Sequence, residues 1–328
     1  MKKIAVVILN WNGTHLLREF LPSVLQFSKE ATIYVIDNAS TDTSISLLEE
    51  EFPSVKIISN KENFGFARGY NEGLQFIDED IYCLINSDVQ VTPNWLDPIL
   101  HLFEKDSQIA IVQPKILDYK NKSFFEYAGA GGGFIDRLGY PFCRGRIFET
   151  IEKDNGKYDD VIPIFWASGA CFFIRKDVYR ELKGFDSDFF AHQEEIDLCW
   201  RSFNAGYSTY YCGYSTVYHL GGGTLHTLNP KKTYLNFRNS LLMLLKNLPI
   251  LHLIPVLMIR LLLDGVAGIR FLIQKKPNHF WAVLQSHFGF YKLFFKTLAK
   301  RTSKNKTNYY KKSSIVFHYY IKKGKVFD

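Results

Sequence analysis

Two rhythms of apolar and polar positions alternate along the N-terminal half of the chain. Residues 3–9 are a continuous apolar run closed by Asn10-Trp11-Asn12-Gly13, the pattern of a buried parallel strand and its loop. Residues 14–27 carry Leu16, Leu17, Phe20, Leu21 and Val24 at helical spacing. Further strands are predicted over 32–36, 55–58, 81–85 and 109–113. Between them the spacing predicts helices over 42–51, capped by Asp42, over 66–77 and over 93–105. This alternation predicts βαβ units: an α/β fold with a mostly parallel sheet, and ligands at the carboxyl ends of the strands.

The rhythm weakens over 114–160. That stretch reads as a flexible loop with short strands, and its glycine-rich run 129–133 as a mobile loop. Order returns with strands over 162–166 and 170–174, a helix over 193–204, and short strands over 209–212 and 216–218. From about residue 230 the character changes. Helices predicted over 235–245, 251–263 and 280–298 are very apolar and studded with Lys, Arg, Trp, Tyr and Phe. Two regions are therefore expected, 1–230 and 231–328.

Charge sharpens that division. Of the 40 Lys and Arg, 19 lie beyond residue 230, against 2 of the 33 acids, so the tail carries +17 and the body −10. A basic tail on an acidic body suggests an anionic surface as partner. The five cysteines form no C-x-x-C pair and read as buried hydrophobes in a reducing compartment. The apolar run after Met1-Lys2-Lys3 is too short for a signal peptide. The longest uncharged apolar stretch, 247–259, is broken by Pro249 and Pro255, so no ordinary membrane-spanning segment is expected.

Polar clusters end or follow four strands in succession: Asn10-Trp11-Asn12-Gly13, Asp37 to Asp42, Asn63 to Asn71, and Asn86-Ser87-Asp88. Singly each is an ordinary turn or cap. Four in register make one rim on which a nucleotide can lie. No G-x-G-x-x-G follows the first strand and no Walker A is present, which argues against dinucleotide dehydrogenases and P-loop nucleotidases. Asp88, at a strand end beside Asn86, suits a hard divalent cation. On the helix after Ala191 and His192, Glu194 and Glu195 lie in the first turn, and a carboxylate there can deprotonate a hydroxyl. Asp197 and Arg201 stand at ion-pair spacing. His219, at another strand end before a glycine run, is a candidate metal ligand. His226, Lys231, Lys232 and Arg238 follow within reach of phosphates if the chain folds back.

In this order and spacing, the Val6–Asn12 segment, Asp37-Asn38-Ala39-Ser40-Thr41-Asp42, Asn63-x-Gly65-Phe66-Ala67-x-Gly69-x-Asn71, Asn86-Ser87-Asp88 and Glu194-Glu195-x-Asp197-Leu198-Cys199-x-Arg201 resemble the family 2 inverting glycosyltransferases of GT-A fold, in particular the bacterial rhamnosyltransferase-like branch. The resemblance covers about residues 3–245. It implies that Asn10, Trp11 and Asn12 line the nucleotide, and that Asp37 and Asn38 contact base and ribose. Asn63, Gly65 and Arg68 would flank the diphosphate. Asn86-Ser87-Asp88 stands where the family has D-x-D, with Asp88 and His219 as ligands of Mg2+ or Mn2+. Glu195 takes the position of the catalytic base, with Glu194 beside it. Trp166, Gly169, His192 and Asp197 would lie on the acceptor side. The donor would be a nucleoside-diphosphate sugar with uracil or thymine base. The acceptor would be a glycan, carried on a lipid if the basic helices lie on the inner leaflet of the cytoplasmic membrane. The Q-x-x-R-W motif of processive synthases is absent, so one sugar per encounter is expected. A homodimer is a further candidate assembly, and nucleic acid is not an expected partner. The competing readings are a sugar-nucleotide nucleotidyltransferase and a non-enzymatic binder of anionic polymers.

Overall fold

A computed structural model of the protein describes residues 2–221, 229–302 and 305–327. The predicted alternation is realised as β1 (Ile4–Asn10), α1 (Thr14–Phe27), β2 (Ala31–Asp37), α2 (Ser44–Glu51), β3 (Lys56–Ser59), α3 (Gly65–Gly73), β4 (Ile81–Asn86), β5 (Val89–Val91), α4 (Asp97–Lys105) and β6 (Ile109–Asp118). The helix expected from residue 93 begins only at Asp97, because Asn94 has left-handed backbone and Pro98 suits a first helical turn.

A nine-stranded sheet is the frame. Including β11 (Val161–Ile164), β12 (Cys171–Arg175) and β13 (Ser208–His219), its order is β11-β13-β6-β12-β4-β1-β2-β3, with β5 on β13. Strands β1 to β4 pair in parallel, and β12 runs antiparallel between β4 and β6. Successive residues feed opposite faces: Ala5 and Val7 enter one core cluster, Ile4, Val6 and Ile8 the other. Burial on both faces explains the unbroken apolar run of β1.

The two strands expected over 209–212 and 216–218 are the single β13. An irregularity between Cys212 and Thr216 shifts its register against β6. Beyond it β13 continues to His219, which pairs with Val89, next to Asp88.

The stretch expected to be a flexible loop instead builds a four-stranded sheet from β7 (Gly133–Ile135), β8 (Pro141–Cys143), β9 (Arg146–Ile147) and β10 (Thr150–Ile151). The glycine run 129–133 is buried rather than a mobile loop. Gly131 N donates to Arg144 O at 2.9 Å and Gly133 N to Trp166 O at 3.1 Å. A Cβ on Gly133 would collide with the Trp166 ring, so close approach of backbone to ring is what requires glycine there.

Two helices, α5 (Lys176–Glu181) and α6 (Glu194–Ala205), follow β12. The C-terminal part is helical: α7 (Pro230–Asn247), α8 (Ile250–Ile273), α9 (Pro277–Leu298) and the short α10 (Ile315–Tyr320). The change in composition at residue 230 is not a break in the core. Leu241–Leu245 and Leu248 pack in the same cluster as Phe189 and Trp200, and truncating such a leucine typically costs about 2–5 kcal/mol. The chain then returns to the small sheet: Tyr309 stacks on Trp200, and Ile315 N donates to Asp136 Oδ2 at 2.8 Å.

The apolar segment is longer than the stretch 247–259 from which no membrane-spanning segment is expected. Helix α8 has 24 residues and is long and apolar enough to cross a membrane by length and composition. Pro255 sits in its second turn and removes one backbone donor without ending it. Leu253, Val256, Arg260, Asp264 and Gly268 form its buried stripe, while Leu251, Ile254, Met258, Leu262, Val266 and Ile269 are exposed.

Candidate active site

The loops after β1, β2 and β3 meet at one rim and are joined by side chains. Asn10 Nδ2 donates to Asp37 Oδ1 at 3.1 Å and to Ser40 Oγ at 3.2 Å. Asn12 Oδ1 accepts from Thr41 N at 2.7 Å, and its left-handed backbone is one that Asn tolerates. Asp37 Oδ2 accepts from Ser40 N at 2.9 Å. Asn38 is the knot: Nδ2 donates to Asn63 Oδ1 at 2.9 Å and Gly65 O at 3.1 Å, while Oδ1 accepts from Asn60 Nδ2 and Phe64 N. The expected contact of Asn38 with base or ribose is therefore corrected: its amide is buried and committed to these loops. Trp11 is exposed beside this rim, and a Cβ on Gly13 would stand 2.5 Å from Asn10 Oδ1. That oxygen is buried and has no hydrogen-bond partner among the described residues.

Arg68, expected at the diphosphate, lies on the outer surface. It pairs with Glu72 at 3.1 Å and covers the Phe64 ring. The i,i+4 spacing explains the capture.

Strands β4 and β13 bring Asp88 and His219 together, 131 positions apart in the chain. His219 Nε2 is 3.1 Å from Asp88 Oδ1, and Asn86 Nδ2 is 3.4 Å from the same nitrogen. The other ring nitrogen, Nδ1, is 3.4 Å from Glu126 Oε2. Against the effect of burial, Asp88 and Glu126 push His219 up to about 10, so this pocket favours positive charge. A carboxylate and an imidazole facing each other fit a divalent cation that also takes phosphate oxygens. Among the described residues no three His, Cys, Asp or Glu side chains converge as a closed cage.

Helix α6 opens with the two glutamates. Burial, then the charge of Glu195, pushes the Glu194 carboxyl well above its usual range, and its side chain is 4% exposed. Glu195 is less enclosed, and burial raises it to about 7. Glu195 lies against Gly169, where a Cβ would sit 3.8 Å from its carboxyl carbon. Glu194 Oε2 and Glu195 Oε2 lack partners among the described residues. A carboxyl near neutrality with an unpaired oxygen is suited to taking a proton.

The approach to this helix is bent. Phe190, His192 and Gln193 all have left-handed backbone, with φ of 64°, 69° and 70°. Such residues cost about 1–3 kcal/mol each and persist only where neighbours hold them. Here α7 holds them: Asn239 Nδ2 donates to Phe189 O, Ala191 O and His192 O at 2.8–2.9 Å, and Arg238 Nη2 to Asp188 O and Phe189 O. Arg238 is thus a brace for this segment rather than a phosphate ligand. Burial pushes His192 down to about 4, leaving a neutral ring beside the glutamates. Lys231 covers the Phe190 ring, and His226 lies outside the described residues.

Two residues expected on the acceptor side point elsewhere. Trp166 is 4% exposed and donates through Nε1 to Phe134 O in the small sheet. Asp197 is fully buried, accepting from Lys246 Nζ, Arg201 Nε and Asn247 Nδ2 at 2.8–2.9 Å. Despite its burial, Lys246 and Arg201 hold its carboxyl below the usual range. Asp197 fastens α6 to α7. Gly169 and His192 do lie beside the glutamates in space or in sequence. Glu126, Arg238 as a brace and Asn239 were not legible as site residues, because Glu126 sits in an irregular stretch and the other two in an apolar helix.

Comparison with known proteins gives the family and the fold. The family model described as Glycosyl transferase family 2 matches residues 5–183. A Mycobacterium tuberculosis protein named N-acetylglucosaminyl-diphospho-decaprenol L-rhamnosyltransferase is 25% identical over 223 residues, covering 63% of this chain and 72% of its own length. Two solved structures share the fold. Residues 1–349 of TarS from S. aureus, in complex with UDP-GlcNAc, are 12% identical with a TM-score of 0.55 over 90% of both chains. The mannosyltransferase PcManGT from Pyrobaculum calidifontis, in complex with GDP-Man and Mn2+, is 14% identical with a TM-score of 0.54, over 90% of this chain and 87% of that one. These neighbours are GT-A glycosyltransferases, and the sheet described above is that fold.

Proposed function

The chain belongs to glycosyl transferase family 2 and is a glycosyltransferase that uses nucleotide sugars, and from that premise we propose an inverting, cation-assisted transfer of one sugar to a hydroxyl of a lipid-linked glycan. The observation that carries it is Glu195: a carboxyl raised to about 7, with an unpaired oxygen, lying against Gly169, which also faces Phe66 of the third strand-end segment.

In this reading Glu195 takes the proton of the acceptor hydroxyl as its oxygen attacks the anomeric carbon. The bond from that carbon to the diphosphate oxygen breaks on the opposite face, and its electron pair leaves with the nucleoside diphosphate. Asp88 and His219 would hold Mg2+ or Mn2+, which when bound neutralises charge on that leaving group. The rim of Asn10, Trp11, Asn12, Asp37, Asn63, Gly65, Asn86 and Ser87 receives the nucleotide, with Asn38 acting by shaping the loops. Gly169 and His192 line the acceptor side. Half-buried His192, held neutral at about 4 chiefly by desolvation, adds no positive charge of its own beside the base. The M. tuberculosis relative is named for a diphospho-decaprenol substrate, which supports a lipid-linked acceptor.

Residues 1–230 carry the transfer chemistry, and residues 231–328 attach the enzyme to the inner leaflet of the cytoplasmic membrane while bracing the active site. Supporting this, Leu251, Ile254, Met258 and Leu262 on α8 and Trp281, Phe288, Tyr291 and Phe295 on α9 are all exposed, within a stretch of net charge +17. A groove of about 480 Å³ between α7 and α9 is lined by Pro230, Lys231, Tyr234, Ala282, Gln285 and Phe288, and Lys231 also covers the Phe190 ring.

Calorimetric titration with UDP, dTDP and GDP, each with and without Mn2+, tests the donor site. Manganese-dependent binding of one nucleotide is expected, and it disappears in Asp88→Ala. A folded protein that binds none of them overturns the donor-site reading. Flotation with anionic liposomes tests the membrane face: Leu251→Glu with Phe288→Glu is expected to abolish co-flotation.

A further inference from the structure

We infer that Glu126 is the positioning residue of the cation site, fixing the His219 ring from behind so that Nε2 faces Asp88. The inference rests on the reading of Asp88 and His219 as cation ligands. Glu126 follows β6 and belongs to none of the strand-end motifs. Its carboxylate reaches the opposite edge of the imidazole from Asp88: Nδ1 lies 3.4 Å from Glu126 Oε2, Nε2 lies 3.1 Å from Asp88 Oδ1. All three side chains are nine-tenths or more buried.

Glu126 is itself anchored. Its Oε2 accepts from Ala128 N at 2.5 Å, and its backbone N donates to Ile116 O on β6 at 3.1 Å. The chain leaving β13 passes over the carboxylate at Gly221, where a Cβ would stand 3.2 Å from Oε1 and the backbone is left-handed. A buried carboxylate is costly unless another group uses its charge. The His219 ring, 3.4 Å away, is the nearest such group, with Lys232 a further positive charge that Glu126 faces.

A metal-binding imidazole presents a lone pair on one nitrogen and keeps its proton on the other, where an acceptor fixes the ring's tautomer and rotation. Glu126 Oε2 stands on that side of the ring, 3.4 Å from Nδ1, close enough to become that acceptor with a small rotation of the ring although Nδ1 makes no aligned hydrogen bond here. This placement also explains why, among the described residues, no third ligand converges on Asp88 and His219: the second acid of the cluster serves the back of the ring.

The test uses the full chain, with free Mn2+ followed by electron paramagnetic resonance in the presence of the nucleotide that binds the wild type. Glu126→Ala is expected to weaken Mn2+ binding about 10–100-fold with the melting temperature little changed. Glu126→Gln keeps an acceptor but not the charge, so its affinity should fall between the two. If Glu126→Ala does not fold, isosteric Glu126→Gln decides, and wild-type affinity in that variant overturns the inference. In a His219→Ala background, Glu126→Ala should bring no further loss, because Glu126 acts through the ring. Additive loss there shows direct action on the cation and overturns the positioning role. A wild type that binds nucleotide but no Mn2+ removes the cation reading, and this inference with it. A wild type that binds Mn2+ and two Glu126 variants that bind it equally well remove only the role of Glu126.

Discussion

At one end of the rim, the loops after β1, β2 and β3 place Asn12, Asp37, Asn38 and Asn63 in bonds with one another and with neighbouring backbone. At the start of α6, the second end of the site, Glu194, Glu195 and His192 keep buried polar atoms with no partner among the described residues. The first end is dense in Asn and Asp yet has little left to offer a proton. Among the buried side-chain atoms described there, Asn10 Oδ1, which faces Gly13, is left without a partner. The second end holds its groups in costly states: carboxyls raised by burial and three left-handed residues braced by α7. Polar density therefore marks where a platform is built. Unpaired, desolvated groups mark where chemistry is done.

The largest effect that sharpens this comparison is kinetic. Glu195→Gln should lower kcat by a factor of about 10²–10⁴, the range for losing a general base, while donor affinity stays within about threefold. Binding is read by calorimetry and turnover by release of nucleoside diphosphate. A dead Glu194→Gln beside an active Glu195→Gln would exchange the two roles. Next comes pH. The base works as a carboxylate, and burial raises it to about 7, so kcat should fall about tenfold per unit as pH drops below 7. A profile flat from pH 5 to 8 would break the assignment.

On the platform the expected loss is in stability instead. Asn38→Ala removes bonds to Asn63 Oδ1, Gly65 O, Asn60 Nδ2 and Phe64 N. Leaving several buried groups unpaired should cost about 2–3 kcal/mol of unfolding free energy, read by urea denaturation. The kcat of the folded fraction should stay within a few-fold. A large loss of kcat with unchanged stability would move Asn38 from scaffold to chemistry.

The same contrast explains what was legible in the sequence. Residues 4–10 announce a buried strand through an unbroken apolar run, and the polar clusters announce the strand ends, because both signals are local. The order of the strands beyond β4 is not local. Nothing in Ile109–Asp118 or Ser208–His219 states that they pair, so the meeting of His219 with Asp88 came from resemblance rather than from pattern. Asp197 shows the opposite failure. It lies one turn from the glutamates, and only the fold reveals that Lys246 and Asn247 of α7 capture it. Asn239 and Arg238 were hidden for a related reason: in an apolar helix, a buried amide and a guanidinium register as exceptions to the core until the carbonyls they hold are seen.

The smallest expected effect tests whether the transfer end is held at a cost to the fold. Folding raises the Glu195 carboxyl from 4.5 to about 7, so the ionised form is disfavoured in the folded protein. A raised carboxyl contributes no penalty below its unfolded value, a growing one between 4.5 and 7, and its full penalty above 7. Glu195→Gln removes the ionised form and should stabilise the protein by about 1–2 kcal/mol at pH 8, with no gain at pH 4. Urea denaturation of both proteins at the two pH values measures this. A gain at pH 8 that persists at pH 4 would come from packing of the amide, and the burial of Glu195 would then not be what readies it for proton transfer. A gain confined to high pH, in a variant that no longer turns over, ties the instability of this residue to its work.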